Sequence, residues 1–225
     1  LLFTITEPGV GQSNTNGRWH SATFTWDGRV IAAGWEPGGG GAAECEAGDP
    51  AVDKSMFFYD ASTGAKLGQW VMPRAQGADE NCTIHNYNIV PHPTRNLLVH
   101  GSYQSGTALV DFTDPTNAYE VAWMDPDPLD PPSPTSPGGR ASSGGAAGWS
   151  GLGLGVVIMA ILLLRGALSG RTNFRGGDWS SYWYNGLIYE SDTRRGLFVW
   201  RVSAPELAGP ELKLEYLNPQ TNHTS

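Results

Sequence analysis

The sequence is poor in charge. Charged residues are 16 % of the 225, with 14 Lys and Arg against 22 Asp and Glu and a formal charge of -8. No basic stripe is present to neutralise phosphates, which excludes nucleic acid as a default partner. Cysteine is scarce as well: Cys45 and Cys82 are the only two. They form no Cys-x-x-Cys, so a thiolate zinc site is poorly supported. Both lie in Gly-rich, polar loop sequence rather than in apolar runs, where a buried thiol more often sits. They are read as one disulfide clipping two loops, the alternative being two unrelated free thiols. A disulfide places the chain in an oxidising compartment. The sequons Asn81-Cys82-Thr83 and Asn222-His223-Thr224 agree.

Several motifs of enzyme chemistry are missing. The run GGGG at 38–41 has no Gly-Lys-Ser/Thr after it and cannot cradle a phosphate. No Gly-x-Ser-x-Gly elbow occurs. Ser102 and Ser105 stand near His100 and Asp111 only as neighbours in one hairpin, not as a triad. Asp111, Asp114 and Asp125 could serve a calcium ion as hard donors, but DFTDP reads more plainly as a turn. The chain opens LLFTITEPG, without Met, basic n-region or signal peptide. Processing or truncation is expected to have removed the true start.

What is abundant is Gly (30), Pro (16) and Trp (9). That composition suits short strands, many turns and aromatic packing, not a helical bundle. Three stretches repeat one pattern. WDGRVIAAGW (26–35) leads to KSMFFYDASTG (54–64), HPTRNLLVHGSY (92–103) to SGTALVDFTDP (105–115), and WYNGLIYESD (183–192) to RGLFVWRVSAP (195–205). Each pair predicts a hairpin. HSATFTW, HNYNIV and SSYWY predict a further strand before each pair, and LLFTITEPG resembles a fourth copy of the second strand. Units of three or four strands recurring roughly every 45–55 residues predict a β-propeller over a sandwich.

The period also locates an interruption. Thr6, Asp60, Asp111 and Arg201 hold matching places, at steps of 54, 51 and 90 residues. The last step is too long by about 39 residues, which makes the excess an insertion between repeats and not a blade. The excess holds the uncharged window 142–164, with GLGLGVVIMAILLL at 151–164. Its strongly apolar part is 14 residues, against about 20 for a bilayer span. Three readings stay open: a transmembrane helix, a helical loop of the domain, and a sequence foreign to the fold.

HNYNIVPHP, HGSYQSGTALVDFTDP and GDWSSYWYNGLIYESDTRRGLFVWRV resemble the LVIVD-repeat family. FFYDASTG and LFVWRVSA look like weaker variants. The resemblance covers nearly the whole chain except about 138–175. It implies a secreted or cell-surface bacterial β-propeller, without an established enzymatic activity and so without catalytic residues to carry over. The apolar insertion is the point of departure.

Two histidines stand out. His20 in RWHSATF and His85 in TIHNYNI begin matching strands of successive repeats. Such positions point to one region of a propeller, where two imidazoles and a carboxylate would suit Zn, Fe, Ni or Cu. The plainer alternative has each ring bonding to backbone within its own blade. Asp178 and Trp179, in the aromatic segment GGDWSSYWYNG, are candidates for a ligand pocket or for packing between blades.

The sequence therefore predicts an all-β protein, a partial or fragmentary propeller. Its repeats fill 1–137, an apolar insertion 138–175, a continuation of the propeller 176–210, and a tail or further strand 211–225. The expected function is an extracellular domain with a ligand-binding, protein-binding or structural role, more a binder than an enzyme. The alternatives are a metal-dependent enzyme at His20 and His85 and a membrane-anchored surface propeller. Expected partners are a protein, small-molecule or glycan ligand, no nucleic acid, and a membrane through 142–164. No cofactor is expected, though a divalent metal can be accommodated. The localisation is extracellular or cell-surface, with a single-pass membrane protein as the alternative.

Overall fold

A computed structural model describes residues 2–10, 18–37, 43–78, 80–127, 129 and 176–207. Among the described residues eleven strands form three separate antiparallel sheets. Sheet 1 holds β1 (Arg18–Phe24), β2 (Val30–Glu36), β3 (Ser55–Asp60) and β4 (Lys66–Val71) in that order. Sheet 2 holds β5 (Tyr87–Val90), β6 (Leu97–Gly101), β7 (Thr107–Asp111) and β8 (Tyr119–Met124). Sheet 3 holds β9 (Asp178–Tyr184), β10 (Leu187–Asp192) and β11 (Gly196–Trp200). No α-helix occurs among the described residues, and no sheet closes on itself into a ring. The sheets belong to one compact unit, Leu1–Leu129 with Asn173–Ser225.

Local chemistry makes the hairpins. Asn185 (φ 47°) and Gly186 (φ 80°) join β9 to β10. Two successive left-handed residues make the tight turn whose twist matches flanking strands. Asp60 ends β3 and accepts from the backbone N–H of Ser62 and Thr63, and Asp111 ends β7 and accepts from Thr113. These short acidic side chains close turns because they bond backbone two or three residues on. The partner strands β4 and β8 each carry a bulge opposite the end of these strands, with Leu67 extra against Phe58/Tyr59 and Val121 extra against Leu109/Val110. The repeat thus extends to irregularities of pairing.

Sheet 2 is covered on both faces, and β6 and β7 are buried throughout. That explains why LLVHG and TALVD read as continuous runs rather than alternations. Ala32, Met56 and Phe58 of sheet 1 meet Ile89, Leu98, Val110 and Phe112 in one core. Phe58 stacks on Phe112, ring centroids 4.6 Å apart and nearly parallel. A second core joins Val99 and Leu109 to Trp183 and Ile188 of sheet 3.

Three expectations need correction or comment. Residues 2–7 form no strand. Instead Ile5 packs on the outer face of sheet 1, and Glu7 accepts from Tyr59 and Lys66. A membrane-spanning helix is not found: among the described residues no helix is long and apolar enough to cross a membrane. The segment that suggested one, 142–164, lies outside the described residues, and its 14-residue apolar part is short for a span. Asn222 and the tail 211–225 lie outside them too.

Candidate metal centre

His20 lies on β1, Glu36 ends β2, and His85 stands two residues before β5. The register pairs Arg18 with Glu36, and a bulge between Trp19 and Ser21 follows. A bulge re-aims side chains next to it, and here His20 turns toward His85. The two rings lie 4.1 Å apart, centroid to centroid. The ligand atoms of His20, Glu36 and His85 all fall within 4.8 Å of one another. Glu36 and His85 are buried and His20 half-buried.

Each imidazole is oriented by its neighbours. His85 Nδ1 lies between the Trp179 carbonyl at 2.8 Å, which can only accept, and Asn86 Nδ2 at 2.9 Å, which can only donate, so these two neighbours hold the ring in place. Nε2 then faces the Glu36 carboxylate, 3.5 Å from Oε1. Ser21 Oγ donates to the His85 carbonyl at 2.7 Å, so His20 Nδ1, at 2.9 Å from that oxygen, is the donor to it. His20 Nε2 is left as its ligand atom. Both rings are thus oriented by bonds to groups outside the cluster, as metal-binding histidines require.

The fit to a metal can be tested on distance. Ligands at about 2.0–2.1 Å from a tetrahedral ion stand roughly 3.3–3.5 Å apart. The Glu36–His85 separation of 3.5 Å matches that edge. The remaining separations lie within 4.8 Å. Two imidazoles and a carboxylate can hold a divalent metal. Among the described residues this is the one group of three such donors.

An aromatic enclosure surrounds His85. The Tyr103 ring lies 4.6 Å and the Trp179 ring 4.4 Å from it. The Tyr103 hydroxyl donates to Glu36 Oε1 at 2.6 Å. Burial first, and then the Glu36 carboxylate, raises the phenol's pKa, so it stays a donor. Tyr103 has φ 47°, in the left-handed region. For a bulky residue that costs on the order of 1–2 kcal/mol, held by the two-way backbone bridge between Tyr103 and Asp178.

The inner strands interlock beside the cluster. Ser21 Oγ also lies 3.0 Å from Asn86 Oδ1, and Asn86 Nδ2 donates to the Trp179 carbonyl and to Ser180 Oγ. One polar chain thus crosses all three sheets at matching positions. The Cys45–Cys82 disulfide forms, Cα atoms 6.1 Å apart, and clips the segment that leads into His85.

The structure thus joins His20 to His85 and adds Trp179 through its carbonyl and its ring. The expected alternative, backbone bonding within one blade, is not what His85 does: its partner belongs to sheet 3. Asp178 is fully buried but lies apart from the cluster, bonded to Thr107 and Ser181. Asn81 is buried in this fold. Its side chain accepts from Thr83. Asp111 pairs with Arg95, Asp114 caps the turn Pro115–Asn117, and Asp125 pairs with Arg74. Each is satisfied separately, so no calcium site assembles from them. Sequence reasoning missed Glu36 and Tyr103. The signal for Glu36 was a lone acid closing the apolar strand VIAAGWE; Tyr103 gave none. Comparison with known proteins adds no assignment: no family model, curated protein or solved structure matches the chain.

Proposed function

We propose that this chain is an extracellular β-domain that binds one divalent metal ion through His20, Glu36 and His85 and uses it for metal-dependent chemistry. The observation that carries the proposal is the 3.5 Å approach of His85 Nε2 to Glu36 Oε1, with the His20 ring tilted against His85 at 4.1 Å. An imidazole nitrogen and a carboxylate oxygen 3.5 Å apart can both reach one cation placed between them. Three protein ligands leave a coordination position for water or substrate, the arrangement of catalytic rather than structural sites. A water held there is acidified by the ion and becomes a nucleophile near neutral pH. The disulfide supports an extracellular setting. The meander order of the sheets and the polar chain across their inner strands support blades of an LVIVD-type propeller.

The test is metal uptake by chelator-stripped protein, followed by calorimetry with Zn(II) and Mn(II) and by elemental analysis. One ion per chain is expected, and Glu36→Gln or His20→Ala should weaken binding about 100-fold or more. No uptake, or affinity unchanged in both variants, would sink the proposal. Tyr103→Phe removes only the bond to Glu36 and should cost about 10–100-fold in affinity with the ion count intact. Wild-type affinity in that variant would show that the phenol does not orient the carboxylate.

A further inference from the structure

A groove of about 370 Å³ opens beside His20 on the outer face of sheet 1. Its shape follows from strand register. Cross-strand pairs on this face run Trp19–Trp35, then Ala22–Ala33, then Phe24–Ile31. Large, small and large pairs in succession leave a trough over the two alanines. Ile5 supplies a further wall. Trp19 and Phe24 are solvent-exposed, at 39 % and 57 %, although both are large and apolar. His20 belongs to the trough and to the metal cluster at once, because the bulge at Trp19/Ser21 sets it between the two faces of the strand.

The charge of the centre selects what the trough would hold. Two neutral imidazoles and one carboxylate leave a divalent ion with a net charge of +1. Among the described residues lining the trough none is charged. We infer that the site takes a small monoanion carried on an apolar body, a carboxylic acid with an aromatic or branched-alkyl tail. The head group binds the ion at its open position and the tail lies between Trp19 and Phe24 over Ala22 and Ala33. This rests on the metal reading above and names the ligand class for the same centre. An apolar slot with a few convergent polar groups at one end is the usual form of a small-molecule site.

The probe is a hydroxamate series, which keeps one anionic metal-binding head and varies the tail. Acetohydroxamate, isovalerohydroxamate and 3-phenylpropanohydroxamate are titrated calorimetrically into zinc-loaded and zinc-free protein. Affinity for the zinc-loaded form should rise at least about tenfold from the shortest to the longest tail, and only with zinc present. Ala22→Leu fills the trough and Phe24→Ala removes a wall. Both positions are exposed, so both variants are expected to fold, and each should erase most of the gain with tail length. An affinity that ignores tail length, or a gain that survives Ala22→Leu, overturns the trough and leaves the metal centre standing. A gain equally large without zinc overturns the placement of the head on the ion. A protein that takes up no zinc overturns both readings.

Discussion

Stability should fall as pH rises above the ordinary carboxylate range, and Asp178→Asn should remove much of that fall. Asp178 on β9 and Glu190 on β10 are both fully buried where sheet 3 meets Thr107 of sheet 2. Thr107 Oγ1 lies 2.7 Å from Asp178 Oδ2, 2.6 Å from Ser181 Oγ and 3.0 Å from Glu190 Oε2. Ser181 Oγ is 2.6 Å from Asp178 Oδ2. Four short contacts among four oxygens each need a proton, and the two hydroxyls supply only two. The carboxyls must supply the rest. Burial is the main reason that both are held above their usual range. The Glu190 charge adds to the rise at Asp178, while bonds from Ser181 and Thr107 oppose it. At Glu190 the bonds from Trp200 and Thr107 oppose the rise.

The sign is then fixed. The folded state keeps protons that the unfolded chain releases at ordinary carboxylate values near 4. The associated stability is fully present below the unfolded value and is lost as pH climbs through the raised folded values. The loss is about 1.4 kcal/mol per pH unit for each such group. His100 works the other way. Burial, then the Arg74 charge, pushes it down to about 3. Its contribution is present above the unfolded value near 6.5 and disappears as pH falls toward that folded value. The difference between wild type and Asp178→Asn cancels His100. Urea unfolding of the two proteins between pH 4 and pH 9 should show the variant gaining on wild type as pH rises. A difference that stays level with pH would mean that Asp178 is ionised in the fold.

Much of this architecture is legible in the sequence because it is local. The Asn185-Gly186 turn, the aspartates that end β3 and β7, and the apolar runs of β6 and β7 are set by residues adjacent in the chain. Repetition then carries the local pattern from sheet to sheet, which is why His20 and His85 could be matched before any geometry was known. The third ligand could not. Glu36 reaches the cluster through its register with Arg18 and the bulge that follows, and a bulge has no sequence period. Tyr103 depends on a left-handed backbone that nothing in SYQSG announces. The apolar run at 151–164 misleads for the opposite reason: composition alone suggests a membrane, whereas the repeat period treats the run as an insertion. LLFTITEPG has the apolar alternation of a strand. Its residues 2–7 instead lie on the outer face of sheet 1 through Ile5 and Glu7.

A large loss from one methyl group is expected at Gly177. Its φ is +116°, and a Cβ there would stand 2.2 Å from the Tyr103 carbonyl carbon and 2.4 Å from its oxygen. Those atoms are backbone and cannot swing aside. They also belong to the bridge in which Tyr103 N–H donates to Asp178 and Asp178 N–H donates to Tyr103, at 2.9 and 2.7 Å. Gly177→Ala must part this bridge, so it should remove more than about 4 kcal/mol, the range reserved for disrupted backbone and buried networks. Gly28→Ala is the control. Its φ is +70°, yet nothing lies within 4 Å of the added carbon, so the cost should be only the backbone term, about 1 kcal/mol. The bridge also holds Tyr103 against Glu36. Gly177→Ala protein that remains folded should therefore lose zinc affinity at least as far as Tyr103→Phe does, while Gly28→Ala protein keeps it. Denaturant unfolding and zinc titration of the two variants decide the matter. Equal costs in both would show that the close approach at Gly177 can relax, and that the seat of Tyr103 lies elsewhere.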